Sequence, residues 1–209
     1  IYDALMPVPA LSFATRYYKA NAGIMITASH NPAKYNGYKA YWDDGSQVVP
    51  PHDKGIIDKV AGVKPEDIKF TPDENLIEII GEKVDKAFVD AAVANGSSDA
   101  TGRDDFKIVY TPIHGTSFKA MIPALKEAGF KNVITVPEQM IPSGDFPTVK
   151  SPNPENPEAL SMAMDLAYKT GADMVVGTDP DADRIGIAVR NLKGELQLLN
   201  GNETNTVLI

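Results

Sequence analysis

The stretch Ala172–Val189, ADMVVGTDPDADRIGIAV, sets an acidic turn between two short apolar runs. Met174–Val176 and Ile185–Val189 read as strands, and the turn Asp179-Pro-Asp-Ala-Asp-Arg184 carries three carboxylates at alternate positions beside an arginine. On a helix Asp179 and Asp183 would share a face while Asp181 turned away, whereas Pro180 favours a loop in which all three converge. Carboxylate oxygens are hard ligands, so a converging loop suits Mg2+, with calcium and manganese chemically admissible. The plain alternative is a solvated acidic turn capped by Arg184. A full calcium-binding loop of the EF-hand type is absent, and the flanking strands favour an α/β strand-end site instead.

Outward from this stretch, helix- and strand-like segments alternate. Lys107–Tyr110 reads as a strand, Lys119–Ala128 as a helix, Val133–Val136 as a strand and Glu158–Lys169 as a helix. Leu196–Leu199 pairs with Ile185–Val189 around the turn-bearing Asn191–Glu195 segment. Upstream, Ser12–Ala20 reads as a helix, Gly23–Thr27 as a buried strand, Tyr38–Trp42 as a short strand and Ile77–Ala94 as helical. The segment Asn95–Asp105, NGSSDATGRDD, has the composition of a linker. The expected architecture is therefore α/β, with two α/β domains of mixed sheets flanked by helices, 1–98 and 99–209. Prolines in Ser143–Pro157 forbid a continuous helix there and favour a stiff surface crossover over an ordered connection near a cleft.

The 209 residues suffice for one large core or two modest ones, and 43% apolar content fits a globular chain. A formal charge of −8 disfavours nonspecific binding to nucleic acid or acidic membranes. The chain has no cysteine, which excludes disulfides and thiolate chemistry, and it has no long apolar segment. The expected location is cytoplasmic, with no nucleic-acid or membrane partner. The start at Ile1 and the apolar run Thr206–Ile209 read as the ends of an excised piece.

A second polar cluster, Thr27-Ala-Ser-His-Asn-Pro32, follows the apolar segment Ala22–Ile26 and so falls at a strand exit. Ser29 is a candidate nucleophile if a base or a pre-attached phosphoryl group activates it. His30 and Lys39 stand close by in sequence. A phosphorylated Ser29 would bring anionic oxygens to the Asp179/Asp181/Asp183 site, and Lys39 would steer a sugar phosphate and assist proton transfer. The plain alternative is a hydrogen-bonded turn at Ser29–His30, with Lys39 an ordinary surface lysine.

Together, TASHNP (27–32), YNGYK (35–39), TPIHGT (111–116), SPNPENPEA (151–159), GTDPDADRIG (177–186) and the later GN (201–202) form an ordered set. In these motifs the chain resembles the α-D-phosphohexomutase family, most closely its bacterial phosphoglucomutase branch. The resemblance implies that Ser29 is the active phosphoserine and that Asp179, Asp181 and Asp183 bind Mg2+ with its phosphate. It also implies active-site roles for His30 (orienting and proton handling), Lys39 (general acid/base) and Arg184 (electrostatic support), while His114 and Gly115 shape a loop of the second domain. The implied reaction moves a phosphoryl group between phosphoserine and a hexose phosphate substrate, with hexose 1,6-bisphosphate as intermediate and activator. The resemblance covers much of domain 1 and nearly all of domain 2 of a four-domain enzyme. Domains 3 and 4 then become missing partners of the same polypeptide, and little or no mutase activity is expected of the isolated chain. Phosphomannomutase or phosphopentomutase activity, or a noncatalytic metabolite-binding module, are the competing readings.

Overall fold

Two sheets organise the chain. The computed structural model describes residues 1–97 and 100–208. The expected domain cut between 98 and 99 falls outside the described residues, as does Ile209. In the first α/β domain, α1 (Val8–Tyr17) precedes the antiparallel pair β1 (Ala22–Ile26) and β2 (Tyr38–Trp42). Met25 stands opposite Lys39 and Ile26 opposite Tyr38. Side chains alternate across a strand, so Gly23, Met25, Lys39 and Tyr41 share one face and Ile24, Ile26, Tyr38 and Trp42 the other. α1 covers the first face, with Thr15 and Leu11 against Gly23. The second face is exposed at all four side chains.

Three expectations change here. The first helix spans Val8–Tyr17 rather than Ser12–Ala20. Pro9 lies in its first turn, where a missing N–H leaves no bond unmade, and Lys19 with φ 51° stops it. A further helix, α2 (His52–Ala61), was not expected, and none of its residues is buried. The helix expected over Ile77–Ala94 begins only at Glu82, as α3 (Glu82–Ala94). Ile80 instead bridges to Tyr2, donating its N–H to the Ile1 carbonyl and accepting from the Asp3 N–H. That long-range bond overrides the local helical pattern.

The second domain contains β3 (Lys107–Thr111), α4 (Phe118–Glu127), β4 (Asn132–Thr135), α5 (Pro157–Thr170), β5 (Met174–Thr178), β6 (Ile185–Arg190), β7 (Leu196–Leu199) and α6 (Gly201–Leu208). Its strands lie in the order β4-β3-β5-β6-β7. β3 is parallel to β4 and β5, whereas β6 runs antiparallel to both of its neighbours, β5 and β7, which makes the sheet mixed. Helices cover both faces, and this explains the near-continuous apolar strands. Val109, Val175 and Ala188 pack with Ala163 and Ala167 of α5. Ile108, Tyr110 and Val176 pack with Phe118, Met121, Ile122 and Leu125 of α4. α3 ties the domains together, lying against α1 through the Phe13–Phe88 ring contact at 5.6 Å and against α4.

No helix interrupts Ser143–Asn156, as its prolines require. The expectation of a surface crossover is corrected, because Pro152 and Pro154 are buried and the Pro154 carbonyl packs on Gly186. Proline has no N–H to satisfy, so this backbone enters the interior at lower cost. Among the described residues no helix is long and apolar enough to cross a membrane. Because β3 and β5 are parallel, the loops after them, TPIHGT and DPDADR, open at the same sheet edge, the usual place for ligands in an open α/β sheet.

Candidate active site

Asp179 follows β5 directly and is fully buried, and Asp181 is 4% exposed. The loop between them is tightly fixed. Ala182 takes φ 58° and donates its N–H to the Asp179 carbonyl at 3.0 Å. The Arg184 N–H donates to Asp179 Oδ1 at 3.0 Å. The Pro180 carbonyl accepts from Thr116 twice, from its N–H at 2.9 Å and its hydroxyl at 3.0 Å. Gly115 permits that approach, since a Cβ there would run into the Pro180 backbone. The Asp181 carbonyl accepts from the Val8 N–H at the start of α1, at 2.8 Å. One ligand oxygen from each of Asp179, Asp181 and Asp183 lies within 4.8 Å of the others. The carboxylates therefore converge as the loop reading requires.

The first domain brings its own loop onto them. Thr27 Oγ1 accepts from the Ser29 N–H at 2.9 Å and donates to Asp181 Oδ2 at 3.1 Å. Ser29 is held at φ 53°, and such a conformation costs a residue with a side chain about 1–3 kcal/mol. Its hydroxyl donates to Asp179 Oδ2 at 2.7 Å. With that hydrogen engaged, His30 Nδ1, 3.1 Å from Ser29 Oγ, is assigned as the donor of their bond. Lys39, on the helix-covered face of β2, donates to Asp181 Oδ2 at 2.9 Å and to Asp183 Oδ2 at 2.7 Å. Gly37 lets the YNGYK and TASHNP turns touch, because a Cβ there would meet the Thr27 carbonyl.

Charge and burial act together. Burial, countered by the Ser29 hydrogen bond and reinforced by the charge of Asp181, pushes the Asp179 carboxyl up to about 7. Burial also raises Asp181, but hydrogen bonds from Lys39 and Thr27 outweigh it and hold that carboxyl below its usual range. Burial would lower Lys39, yet its bonds to Asp183 and Asp181 prevail and keep it charged. His30 is shifted down by burial and then by the positive charge of Arg184, which favours the neutral imidazole.

The residues present fit a divalent cation. Asp181 Oδ1 is buried and has no hydrogen-bond partner, an arrangement that is costly for a carboxylate oxygen unless a cation engages it. The donor set is oxygen throughout, as a hard ion requires. Asp179, Asp181 and Asp183 are the residues that would hold it.

The structure thus gathers Ser29, His30, Lys39, Asp179, Asp181 and Asp183 at one place. Arg184 contributes its backbone N–H and its charge, while its side chain is exposed. Sequence reasoning assigned no role to Thr27, Thr116 or Val8. For Thr27 a signal existed, since a threonine two residues before Ser29 is the pattern of a side-chain turn. For Thr116 and Val8 there was none, because their partners lie far away in sequence. A cleft of about 820 Å³ opens beside Ser29, lined by Ile26 and Asn31 from the first domain and by Ser143 and Phe146 from the second.

A two-domain α/β protein with a serine facing an acidic, cation-fitting loop belongs to a recognisable class. The family models "Phosphoglucomutase/phosphomannomutase, alpha/beta/alpha domain I" and "domain II" match residues 1–67 and 86–194. The chain belongs to the phosphoglucomutase/phosphomannomutase family. It is 39% identical over 218 residues to a probable phosphoribomutase of Schizosaccharomyces pombe, covering 99% of this chain and 36% of that protein. It is 36% identical over 216 residues to a phosphoglucomutase of Staphylococcus saprophyticus, covering 100% of this chain and 39% of the relative. A putative phosphomannomutase of Thermus thermophilus superposes with a TM-score of 0.76 at 26% identity, covering 90% of this chain and 41% of that one. The chain therefore spans well under half the length of these relatives.

Proposed function

We propose that this chain is the phosphoryl-carrying part of a phosphoglucomutase that interconverts glucose 1-phosphate and glucose 6-phosphate. The observation that carries the reading is the bond of Ser29 Oγ to Asp179 at 2.7 Å, inside a cluster of three carboxylates. Ser29 is the phosphoryl carrier. In the first half-reaction the P–O bond to Oγ breaks as one to a sugar hydroxyl oxygen forms, and the proton of that hydroxyl passes to Oγ; in the second the P–O bond to the other sugar oxygen breaks as one to Oγ re-forms, and the Oγ proton passes to that sugar oxygen. Lys39, kept charged by its two carboxylates, serves as the general acid/base and steers the sugar phosphate. His30 orients Oγ through its Nδ1 hydrogen and shares in proton handling. Mg2+ held by Asp179, Asp181 and Asp183 would supply positive charge to the phosphoryl oxygens. Exclusion of water from the cleft on substrate binding would favour transfer to sugar over hydrolysis. Hexose 1,6-bisphosphate is the intermediate and reloads Ser29.

The domain cut falls in residues 95–105, and the protein acts in the cytoplasm. Steady-state turnover requires further domains of the kind present in the longer relatives, so the 209-residue chain by itself takes up phosphate but does not cycle efficiently. A second reading, transfer on pentose phosphates, is favoured by the likeness to a phosphoribomutase.

The deciding experiment incubates the chain and Ser29→Ala with glucose 1,6-bisphosphate labelled in its phosphates, followed by peptide mapping. Label confined to the Ser29 peptide and absent from Ser29→Ala supports the reading. Label on any other residue, or none from glucose, mannose or pentose bisphosphates, refutes it. Product analysis of the complete protein with the corresponding monophosphates separates the sugars.

A further inference from the structure

Under the loop that follows β3 lies a line of polar side chains, buried except for the half-buried Thr148, that the proposed chemistry does not use. Ile113 and His114 take left-handed φ values of 46° and 60°, and a β-branched residue rarely tolerates that region. Thr111 and Gln139 are fully buried, and His114 is 4% exposed.

The chemistry of each group fixes the direction of its hydrogens. The Ile141 carbonyl can only accept, so His114 Nδ1, at 3.1 Å from it, carries the hydrogen. His114 Nε2 then accepts from the Thr148 hydroxyl at 2.8 Å. Thr148 Oγ1 accepts in turn from Gln139 Nε2 at 3.0 Å. Gln139 Oε1 accepts from the Thr111 hydroxyl at 2.6 Å, and Thr111 Oγ1 accepts from the Ile113 N–H at 3.0 Å. All five bonds run head to tail and close on the backbone at both ends.

The same turn continues into Thr116, whose two bonds grip the Pro180 carbonyl between Asp179 and Asp181. We propose that the Thr111–Gln139–Thr148–His114 relay is a positioning device for the acidic loop. It holds residues 113–116 in their strained turn, so that Thr116 fixes Pro180 and with it the spacing of the two buried carboxylates. His114, Gln139 and Thr148 are positioning residues, acting on the acidic loop through Thr116. The consequence for cation affinity rests on reading the carboxylates as a divalent site.

The test compares Thr148→Val, nearly isosteric but without the hydroxyl, with Thr148→Ser. Mn2+ affinity is measured by electron paramagnetic resonance, and amide hydrogen exchange is followed at Ala182 and Arg184. Thr148→Val should weaken Mn2+ binding about 10–100-fold, the range typical of lost supporting groups around a metal site. It should also speed exchange at both amides, while Thr148→Ser stays close to the unsubstituted chain. A folded Thr148→Val with unchanged affinity and exchange overturns the proposal. If the unsubstituted chain takes up no Mn2+, the divalent reading falls, and exchange alone then decides the positioning role: faster in Val but not Ser supports it, and equal rates overturn it. Should Thr148→Val fail to fold, His114→Asn keeps a donor for Ile141, removes the acceptor for Thr148 and carries the same two readouts.

Discussion

Ser29 and Asp179 set the behaviour of the site between them. The folded pKa of Asp179, about 7, exceeds its ordinary value of 3.8 because burial opposes its charge. Stability tied to its protonated form is therefore complete below pH 3.8 and is lost as pH rises through about 7. Without added divalent ions, the thermal midpoint should carry a falling contribution from this group across that window, and Asp179→Asn should remove it. An unchanged pH profile in Asp179→Asn would contradict the assignment. His30, shifted down, contributes in the opposite sense, so the comparison is made between variant and parent rather than on one curve. A cation binds the ionised carboxylate, so Mg2+ affinity should climb with pH up to about 7, as titration calorimetry at several pH values would register. Thr27 offers a separate check. Thr27→Val removes both the acceptor for the Ser29 N–H and a donor to Asp181, and should cost about 1–3 kcal/mol in urea unfolding. A loss below a few tenths of a kcal/mol would mean that water replaces both bonds.

At the scale of elements, register matters as much as identity. Lys39 reaches the carboxylates because it stands opposite Met25 on the α1 side of the first sheet, and a one-residue slip would turn it to the exposed face. In the second domain, α5 presses small residues against the sheet, with Leu160 fully buried in front of Gly177. Leu160→Ala should destabilise the chain by about 2–5 kcal/mol in chemical denaturation, and a cost under 1 kcal/mol would show that the interface collapses around the gap. The strands of this domain were legible in sequence because both faces are buried and the apolar runs are nearly unbroken. β6 and β7 were legible from the turn Asn191–Glu195, where the Asn191 side chain accepts from the N–H groups of Lys193 and Glu195. α2 escaped notice because it buries nothing and so leaves no apolar stripe to read. The late start of α3 escaped because a bridge to Tyr2, distant in sequence, decides it.

Across the whole molecule, the candidate site residues stood out as motifs, but their juxtaposition was not legible. Charge and residue type marked Asp179–Arg184 and Thr27–Pro32 as polar islands at strand ends. Nothing in either island specifies that Thr27 will bind Asp181, or that the Val8 N–H will bind the Asp181 carbonyl; those contacts follow from how the two domains dock. The outer face of β1 and β2 adds a property of the entire chain, for Ile24, Ile26, Tyr38 and Trp42 present a contiguous apolar surface to solvent. The isolated 209-residue chain should bind a hydrophobic fluorescent dye and sediment as larger species at rising concentration, and the double variant Ile24→Thr, Ile26→Thr should reduce both. Identical sedimentation at all concentrations would show the face to be inert. The bond between Ser29 and Asp179 spans 150 residues of chain. At a ribosomal pace of about 5–20 residues per second, Ser29 is synthesised roughly 8–30 s before its acceptor exists. Through that interval the serine has no Asp179 to bond, so the two-domain site is completed only once the loop after β5 has been made.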